Sequence, residues 1–440
     1  YLRLLEQKKL IQYAGASGGW TWDLDNLQQA DGIHETVTRV VADNIKKLEA
    51  PIKLALIVAS AFGVSQFDLA TIVHAAPVVE GQDGRENTEF SSELSCDFHV
   101  AKGSMEGLSV HVSKAVHDGL LIKDSTPGRY HFAHDRIREA AYSLLPEGED
   151  GKEMHLAIGR QLRSWMETQG EFGVIAYFSE EQLLLHAVKQ LNMGKELMTD
   201  NWEKLDLADM CFNAAELAAK QSSFSSSMNY LQQGLECLPE NSWKWHYEHM
   251  LKFKVALMRM QYSLVHLDDC MKTAEEILLH TRDFPDTKGI YHTQMLCMLQ
   301  QHRVREGIDL AISVLKNELN VKVPRSLFLP RAIAGYIKIA RRLRKTSDEE
   351  ILAIPVTTDI GRLQDVMDLF NRIVDLAFHE GTDDCVAYGI LFGIAMMEFV
   401  FEYGLFVSAF IPMAYFAQIA FVFGDFASAE RCFNFSKHLI

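Results

Sequence analysis

A chain of 440 residues is long enough for two to four domains, and its 48% hydrophobic content can fill a large core. Its 59 acidic against 43 basic residues leave a net charge of −16, which argues against general nucleic-acid binding, since that needs a basic face to neutralise phosphates. Seven cysteines, at 96, 211, 237, 270, 297, 385 and 432, are scattered without a C-x-x-C pair; this usage fits a reducing, cytoplasmic setting better than a secreted one.

In chain order, residues 2–11 (LRLLEQKKLI) predict a short helix, and Gly15, Gly18 and Gly19 a turn before Trp20-Thr21-Trp22-Asp23. Alternating tryptophans of this kind anchor a small hairpin on a core more often than they stack on a ligand. Helices are predicted at 33–48, 51–61 and 66–76. Residues 77–103 are polar, acidic and without period, as in an insertion loop. A helix over 104–118 precedes Leu120-Leu121-Ile122 and Tyr130-His131-Phe132, which flank the turn DSTPGR and predict a β-wing. The helix over 104–118 sets Lys114 against Glu106 and Asp118, so it lacks a basic recognition face. His134-Asp135 then leads into a helix with Ile137, Ala140, Ala141 and Leu144 on one face. Asp135 faces the positive end of that helix, which favours a carboxylate by roughly 0.3–1 kcal/mol.

From residue 150 to 320 the apolar pattern repeats as helical hairpins. One helix carries Leu207, Met210, Cys211, Ala214, Ala215 and Ala218; its partner carries Phe224, Met228, Leu231, Leu235 and Leu238. The same +4, +7, +11 rhythm returns at Leu267, Met271, Ala274, Leu278 and at Val304, Ile308, Ala311, Leu315. These spacings lie in the range of TPR-like hairpins, which stack because one hairpin cannot bury its stripe alone. Such stacks present surfaces that bind a protein or peptide.

After Pro324 and Pro330 comes a basic run, eight Lys/Arg and no acid from Lys322 to Lys345. A solvated helix face is one reading of it, and a dock for an anionic partner or membrane surface the other. Helices are predicted at 360–379 and 384–402. Residues 403–424 hold no charge and are long enough to span a bilayer. A buried hairpin is the preferred reading, because Pro412 sits mid-run, Glu398 and Glu402 lie just before it, and no Lys/Arg cluster flanks it. The step at Gly424–Ala429 reads as a hairpin turn into a further helix.

Catalytic motifs are missing from the sequence: there is no G-x-x-x-x-G-K-[ST], no G-x-S-x-G and no H-E-x-x-H. His246 and His249 have the i, i+3 spacing of metal ligands but no evident third partner. No catalytic residue and no metal site is therefore assigned.

Several segments resemble one family. YHFAHDRIREAAYSLL (130–145) closely resembles the winged-helix end of STAND/AAA-type signalling ATPases, whose large members join such an ATPase to kinase, sensor or cyclase domains. Residues 2–48, with the W-x-W-D hairpin, resemble the family's helical lid, and residues 54–75 the first helices of its winged helix. Residues 181–238 resemble the start of its helical repeats, and beyond residue 330 only 347–359 and 423–432 still do.

The resemblance implies a mainly α fold, a winged helix with a small β-wing followed by a TPR-like α-helical hairpin solenoid. It divides the chain into a lid remnant (1–48), a winged helix (49–149, insertion at 77–103), TPR-like repeats (150–320) and a basic linker helix with further hairpins (321–440). It also implies that His134 is a nucleotide sensor donating to the β-phosphate of bound ADP, that Asp135 orders the turn and that Arg136 pairs with the ATPase core. Ala133 departs from the methionine of many relatives. The chain opens on Tyr1 and within a helical pattern, so it reads as part of something longer, with the P-loop and Mg²⁺-binding acid upstream. The expected function is non-catalytic: coupling nucleotide state, through the winged helix, to a protein or peptide on the solenoid. ATP or ADP with Mg²⁺ would belong to the parent protein, and the partner of the winged helix would be the parent's nucleotide-binding core. Alternatives are a TPR-like scaffold without nucleotide dependence and a membrane-attached sensor using 403–424.

Overall fold

The computed structural model describes residues 11–14, 19–22, 33–61, 66–68, 112–125, 128–145, 148–167, 179–323, 328–356, 361–405 and 410–438. They are mainly helical, with two small antiparallel sheets. They fall into two compact units, Tyr1–Ser242 and Trp243–Ile440.

In the first unit, β1 (Ile11–Ala14) and β2 (Gly19–Trp22) pair antiparallel with Tyr13 opposite Trp20. Of the helix predicted over 2–11, only Ile11 lies among the described residues, and it opens a strand. The tryptophans sit on a hairpin as their alternation requires, but they are not buried: Trp20 and Trp22 are 43% and 58% exposed. Trp20 packs edge-on against Tyr13 at 5.4 Å instead.

The second sheet runs β3 (Gln66–Asp68), β5 (Arg129–Phe132), β4 (Leu121–Lys123), with β5 central and antiparallel to both neighbours. The helix predicted at 66–76 is corrected at its start, where Gln66–Asp68 is a strand. Three residues with one central apolar side chain carry no period of their own, so pairing decides. Phe67 turns inward onto Phe132, ring centroids 5.4 Å apart, while Gln66 and Asp68 register with His131 and Arg129. Residues 69–76, the predicted insertion at 77–103 and the stretch 104–111 lie outside the described residues; a helix is seen over 112–117. Around this sheet lie α1 (Ile33–Lys46), α2 (Ala50–Ala61) and α3 (Asp135–Tyr142), with α3 packed on α1 and α2. Ile52, Leu56, Ile57 and Val58 of α2 are all buried. Apart from Lys53 and Ser60 the helix is apolar, and a helix with so little polar surface packs centrally.

Two hairpins follow: α4 (Glu149–Glu167) with α5 (Glu180–Gly194), and α6 (Asn201–Lys220) with α7 (Phe224–Cys237). Ser179 starts α5 with a capping box to Gln182. The α4–α5 crossing is tight because it is built on glycine. A Cβ at Gly194 would lie 2.6 Å from the Lys152 carbonyl oxygen, and one at Gly159 2.7 Å from the Leu191 side chain. Across the same crossing runs a buried polar bridge. Gln190 Nε2 donates to the Ala61 carbonyl at 2.6 Å, and its Oε1 lies 2.7 Å from His155 Nδ1, which donates to it. Ala61 is the last residue of α2, so the bridge satisfies a helix-end carbonyl that has no partner within its own helix.

The second unit holds α8 (Tyr247–Ser263), α9 (Leu267–His280), α10 (Phe284–Gln300), α11 (Val304–Asn317), α12 (Phe328–Lys345), α13 (Asp348–Leu352), α14 (Arg362–Glu380), α15 (Asp383–Tyr403), α16 (Phe410–Val422) and α17 (Phe426–His438). Hairpins pack in succession: α9 on α10, α11 on α14, α15 on α16. α12 stands outside this succession and packs on α15 and α17. One core, from Val304 and Ile308 through Phe370 and Ile373 to Phe416 and Cys432, runs through it. The six described cysteines are free and buried; Cys270 and Cys297 bring their sulfurs within 3.5 Å.

The uncharged run 403–424 supplies α16, whose 13 residues span about 20 Å, short of the roughly 30 Å of a bilayer core. Pro412, Met413, Phe416, Ala417, Ile419 and Ala420 of α16 are buried. Pro412 falls in its first turn, where no N–H is missed. By length and composition the segment Cys385–Tyr403 of α15 could cross a membrane; 56% of that window is buried within the protein.

The hairpin turns repeat one geometry. Ser222, Val265, His302 and Gly424 have φ of 59°, 62°, 58° and 75°. In each turn the next residue donates to a carbonyl five back: Ser223 to Ala218, His266 to Gln261 and Arg303 to Met298 at 2.8 Å, Asp425 to Ala420 at 2.9 Å. This left-handed closure normally uses glycine. Val265 is β-branched and strained there.

Two predictions follow from this geometry. Val265→Gly relieves the strain and should raise stability by about 0.5–1 kcal/mol, read as a higher melting temperature, whereas Gly424→Val should lower it. Gln190→Leu strands the Ala61 carbonyl and the His155 ring, and should cost about 2–4 kcal/mol in urea unfolding; an unchanged midpoint would remove the structural role assigned to the bridge.

Candidate functional site

His134 is the N-cap of α3, in extended conformation at φ −159° and ψ 148°. Its Nδ1 accepts the Arg136 backbone N–H at 3.1 Å. With Nδ1 used as acceptor, the neutral ring carries its proton on Nε2, and the exposed side chain offers that N–H outward. Asp135 in the first turn is also exposed and lies 3.5 Å from Arg138. The Arg136 guanidinium pairs with Glu139 at 2.7 Å. The three residues singled out from the sequence therefore sit together at one helix start, held by cap and ion pairs.

The strand before this cap adds a feature. His131 pairs with Gln66 on one side and Ile122 on the other. Its side-chain Nδ1 is buried without a hydrogen-bond partner among the described residues. The other histidine pair, His246 and His249, meets edge-on at 6.3 Å. Among the described residues no group of three or more His, Cys, Asp or Glu side chains gathers to hold a metal ion.

A second site lies on α8, α10 and α14, one helix from each of three hairpins. Between α8 and α10 is a cavity of about 620 Å³, and between α10 and α14 one of about 290 Å³. Lys288 and Gly289 line both, so the two are lobes of one groove. A Cβ at Gly289 would meet nothing within 4 Å. Packing does not require glycine here, although glycine costs a helix interior about 1 kcal/mol relative to alanine. The bare backbone leaves a saddle between the lobes. In the larger lobe, Tyr247 donates to Asp286 at 2.6 Å and Arg282 lies 4.3 Å over the Tyr247 ring. Burial, then the Asp286 contact, pushes the Tyr247 hydroxyl above its usual pKa. In the smaller lobe, Lys288 pairs with Asp365 at 3.2 Å, and Arg372 Nη2 lies 3.0 Å from His292 Nε2. Burial, aided by the Arg372 charge, holds His292 below its usual 6.5.

Sequence reasoning named the repeats but not these groove residues. Gly289 in mid-helix was the available signal, since a glycine there needs either a packing reason or a surface one.

No family model matches the chain. A hybrid signal transduction histidine kinase of Dictyostelium discoideum is 21% identical over 368 residues, 78% of this chain. The chain spans 11% of that kinase's length. Among solved structures, a signal transduction ATPase with numerous domains, carrying a tetratricopeptide-repeat sensor, from Pyrococcus horikoshii aligns over 90% of this chain and 63% of its own, at 12% identity and a TM-score of 0.22. A score of that size is too low to establish a shared fold.

A pH prediction follows from His292. A folded-state pKa below the unfolded value means the unfolded chain binds the proton more readily. The stabilising contribution is therefore complete above the ordinary 6.5 and is lost as pH falls toward the lowered folded value. The drop in melting temperature on acidification should be smaller in His292→Asn than in the parent chain; equal slopes would remove His292 as a contributor.

Proposed function

We propose that this chain is a non-catalytic sensor region of a larger signal-transduction ATPase. In this reading the sheet β3–β5–β4, with α1, α2, α3 and the helix at 112–117, is a winged helix, and its capping histidine reads the nucleotide held by a core elsewhere in the parent. The observation that carries it is the His134 cap. A ring that accepts from its own helix through Nδ1 is left with one outward donor, Nε2–H. That arrangement suits a phosphate oxygen brought up by a docked nucleotide-binding core. The similarity over most of the chain to a signalling histidine kinase supports the signalling context. ADP would hold the winged helix on the core, and ligand on the repeats would favour its release, provided the ligand binds the two states with different affinity.

A second reading is a TPR-like interaction scaffold that never sees nucleotide. The groove on α8, α10 and α14 favours it, because a repeat surface with an open glycine saddle binds a peptide whatever lies upstream.

The test uses the full-length protein. His134→Ala should empty the protein of co-purifying ADP and raise basal output, while Arg136→Ala has a smaller effect. Nucleotide content and basal output both unchanged in His134→Ala would discard the sensor reading and leave the scaffold.

A further inference from the structure

Two cysteines meet inside the second unit. Cys270 stands on α9 and Cys297 on α10, helices of successive hairpins, and both are buried. The Cys297 thiol donates to the Cys270 sulfur at 3.5 Å, and the Cys270 thiol donates to the Met258 carbonyl of α8 at 3.4 Å. The contact sets the two protons against each other. Hydrogen bonding from Cys270 holds the Cys297 thiol below its usual pKa, and the same contact, then burial, holds Cys270 above it. One member of the pair therefore ionises more readily than a thiol buried alone. Burial instead pushes Cys211 and Cys432 up to about 12.

The two sulfurs belong to an apolar cluster with Met258, Ala274, Ile277 and Ile290. Ile290 also lines the larger lobe of the groove, as do Leu251 and Val255, which pack on the same cluster. The wall of that lobe is thus part of the dithiol's own surroundings. Local opening of the wall exposes the sulfurs to a molecule as small as a hydroperoxide. A sulfenic acid formed there meets the neighbouring thiol before it meets any thiol from solution. Intracellular disulfides are mostly transient and redox-sensing, so the reducing setting to which the scattered cysteines point accommodates such a pair.

We propose that Cys270 and Cys297 are a redox-sensitive dithiol that a hydroperoxide closes into a disulfide, locking α9 to α10 behind the groove. The Cys297 thiolate attacks one peroxide oxygen. An S–O bond forms, the O–O bond breaks, and the departing oxygen takes up the thiol's proton and leaves as an alcohol, or as water from hydrogen peroxide. The Cys270 sulfur then attacks the Cys297 sulfenic sulfur; the S–S bond forms, the S–O bond breaks and water leaves. Two thiols are oxidised and one hydroperoxide is reduced. Bonded sulfurs lie about 2.05 Å apart, so from 3.5 Å the step needs only a small approach of the two helices. The bond joins residues 27 apart in sequence and so constrains the unfolded chain as well as the groove wall. The proposal is independent of the nucleotide reading of His134.

Incubating the folded, reduced whole chain with hydrogen peroxide tests this. After alkylation and trypsin, mass spectrometry should find segments 260–272 and 289–303 joined, two hydrogens lighter than their sum, and dithiothreitol should separate them. The oxidised chain should melt roughly 5–10 °C higher than the reduced one. In Cys297→Ala, whose melting under reducing conditions verifies its fold, the rise should vanish and Cys270 should stay a thiol. Overturning results are both cysteines still alkylated as thiols after peroxide, separate sulfinic acids, or either cysteine joined to a different one. A joined pair that leaves the melting temperature unchanged also overturns the proposal, since it would lock nothing. Cys270 oxidised as readily in Cys297→Ala as in the parent removes Cys297 as the attacking sulfur, and the proposal with it.

Discussion

The first unit depends on the end of α2. A largely apolar helix buried at the centre solves the packing problem and creates another, because its last carbonyls leave the helix in a place water does not reach. Gln190, itself fully buried, answers with one amide that donates to Ala61 and accepts from His155. The bond is directional and joins a helix of the sheet-bearing part to the first hairpin of the repeats. Gly159 and Gly194 let α4 and α5 come close enough to present that amide. Apolar packing alone would tolerate a small slide between these parts; a buried hydrogen bond does not.

The repeats depend on a different constraint, the left-handed residue that closes each hairpin. The same φ and the same bond to the carbonyl five back recur at Ser222, Val265, His302 and Gly424. Only one of the four is glycine, so three turns hold a conformation that their side chains disfavour. The buried stripes on either side supply what the turn residue does not. Local preference yields to packing, as it does when each hairpin's apolar face can be covered only by its neighbour.

This explains what the sequence made legible. The stripes starting at 224, 267 and 304 placed α7, α9 and α11 to the residue, because a period over four turns survives any one odd residue. The antiparallel pair β4–β5 was readable from two apolar runs around a turn. β3 was not: Gln66–Asp68 is too short to show a period and is made a strand by β5. Trp20 and Trp22 showed their hairpin but not their exposure, which is a tertiary property. His134 could be placed before α3, whereas its Nδ1 bond to Arg136, and hence its tautomer, needed coordinates. The groove was hidden for a related reason, since it is assembled from α8, α10 and α14, more than a hundred residues apart at the extremes.

Charge is distributed by the same logic of use. Arg160 grips Glu203 and Arg163 grips Asp206, both from α4 to α6, while Lys195 reaches Glu236 on α7. Exposed pairs of this kind add little stability, typically under about 1 kcal/mol each. Their value is in register: they penalise a helix that slips by one turn, which apolar stripes alone tolerate. A cation so committed is not available to a partner. The meaning of a basic run therefore lies less in how many cations it holds than in how many its own fold leaves unspent. On α12 the fold spends Lys338, Arg342 and Arg344 on α15 and the α16–α17 tip, while Ala332, Tyr336, Ile339, Ala340 and Leu343 hold the helix in the core and Arg331, Arg341 and Lys345 are exposed without an ion-pair or hydrogen-bond partner among the described residues.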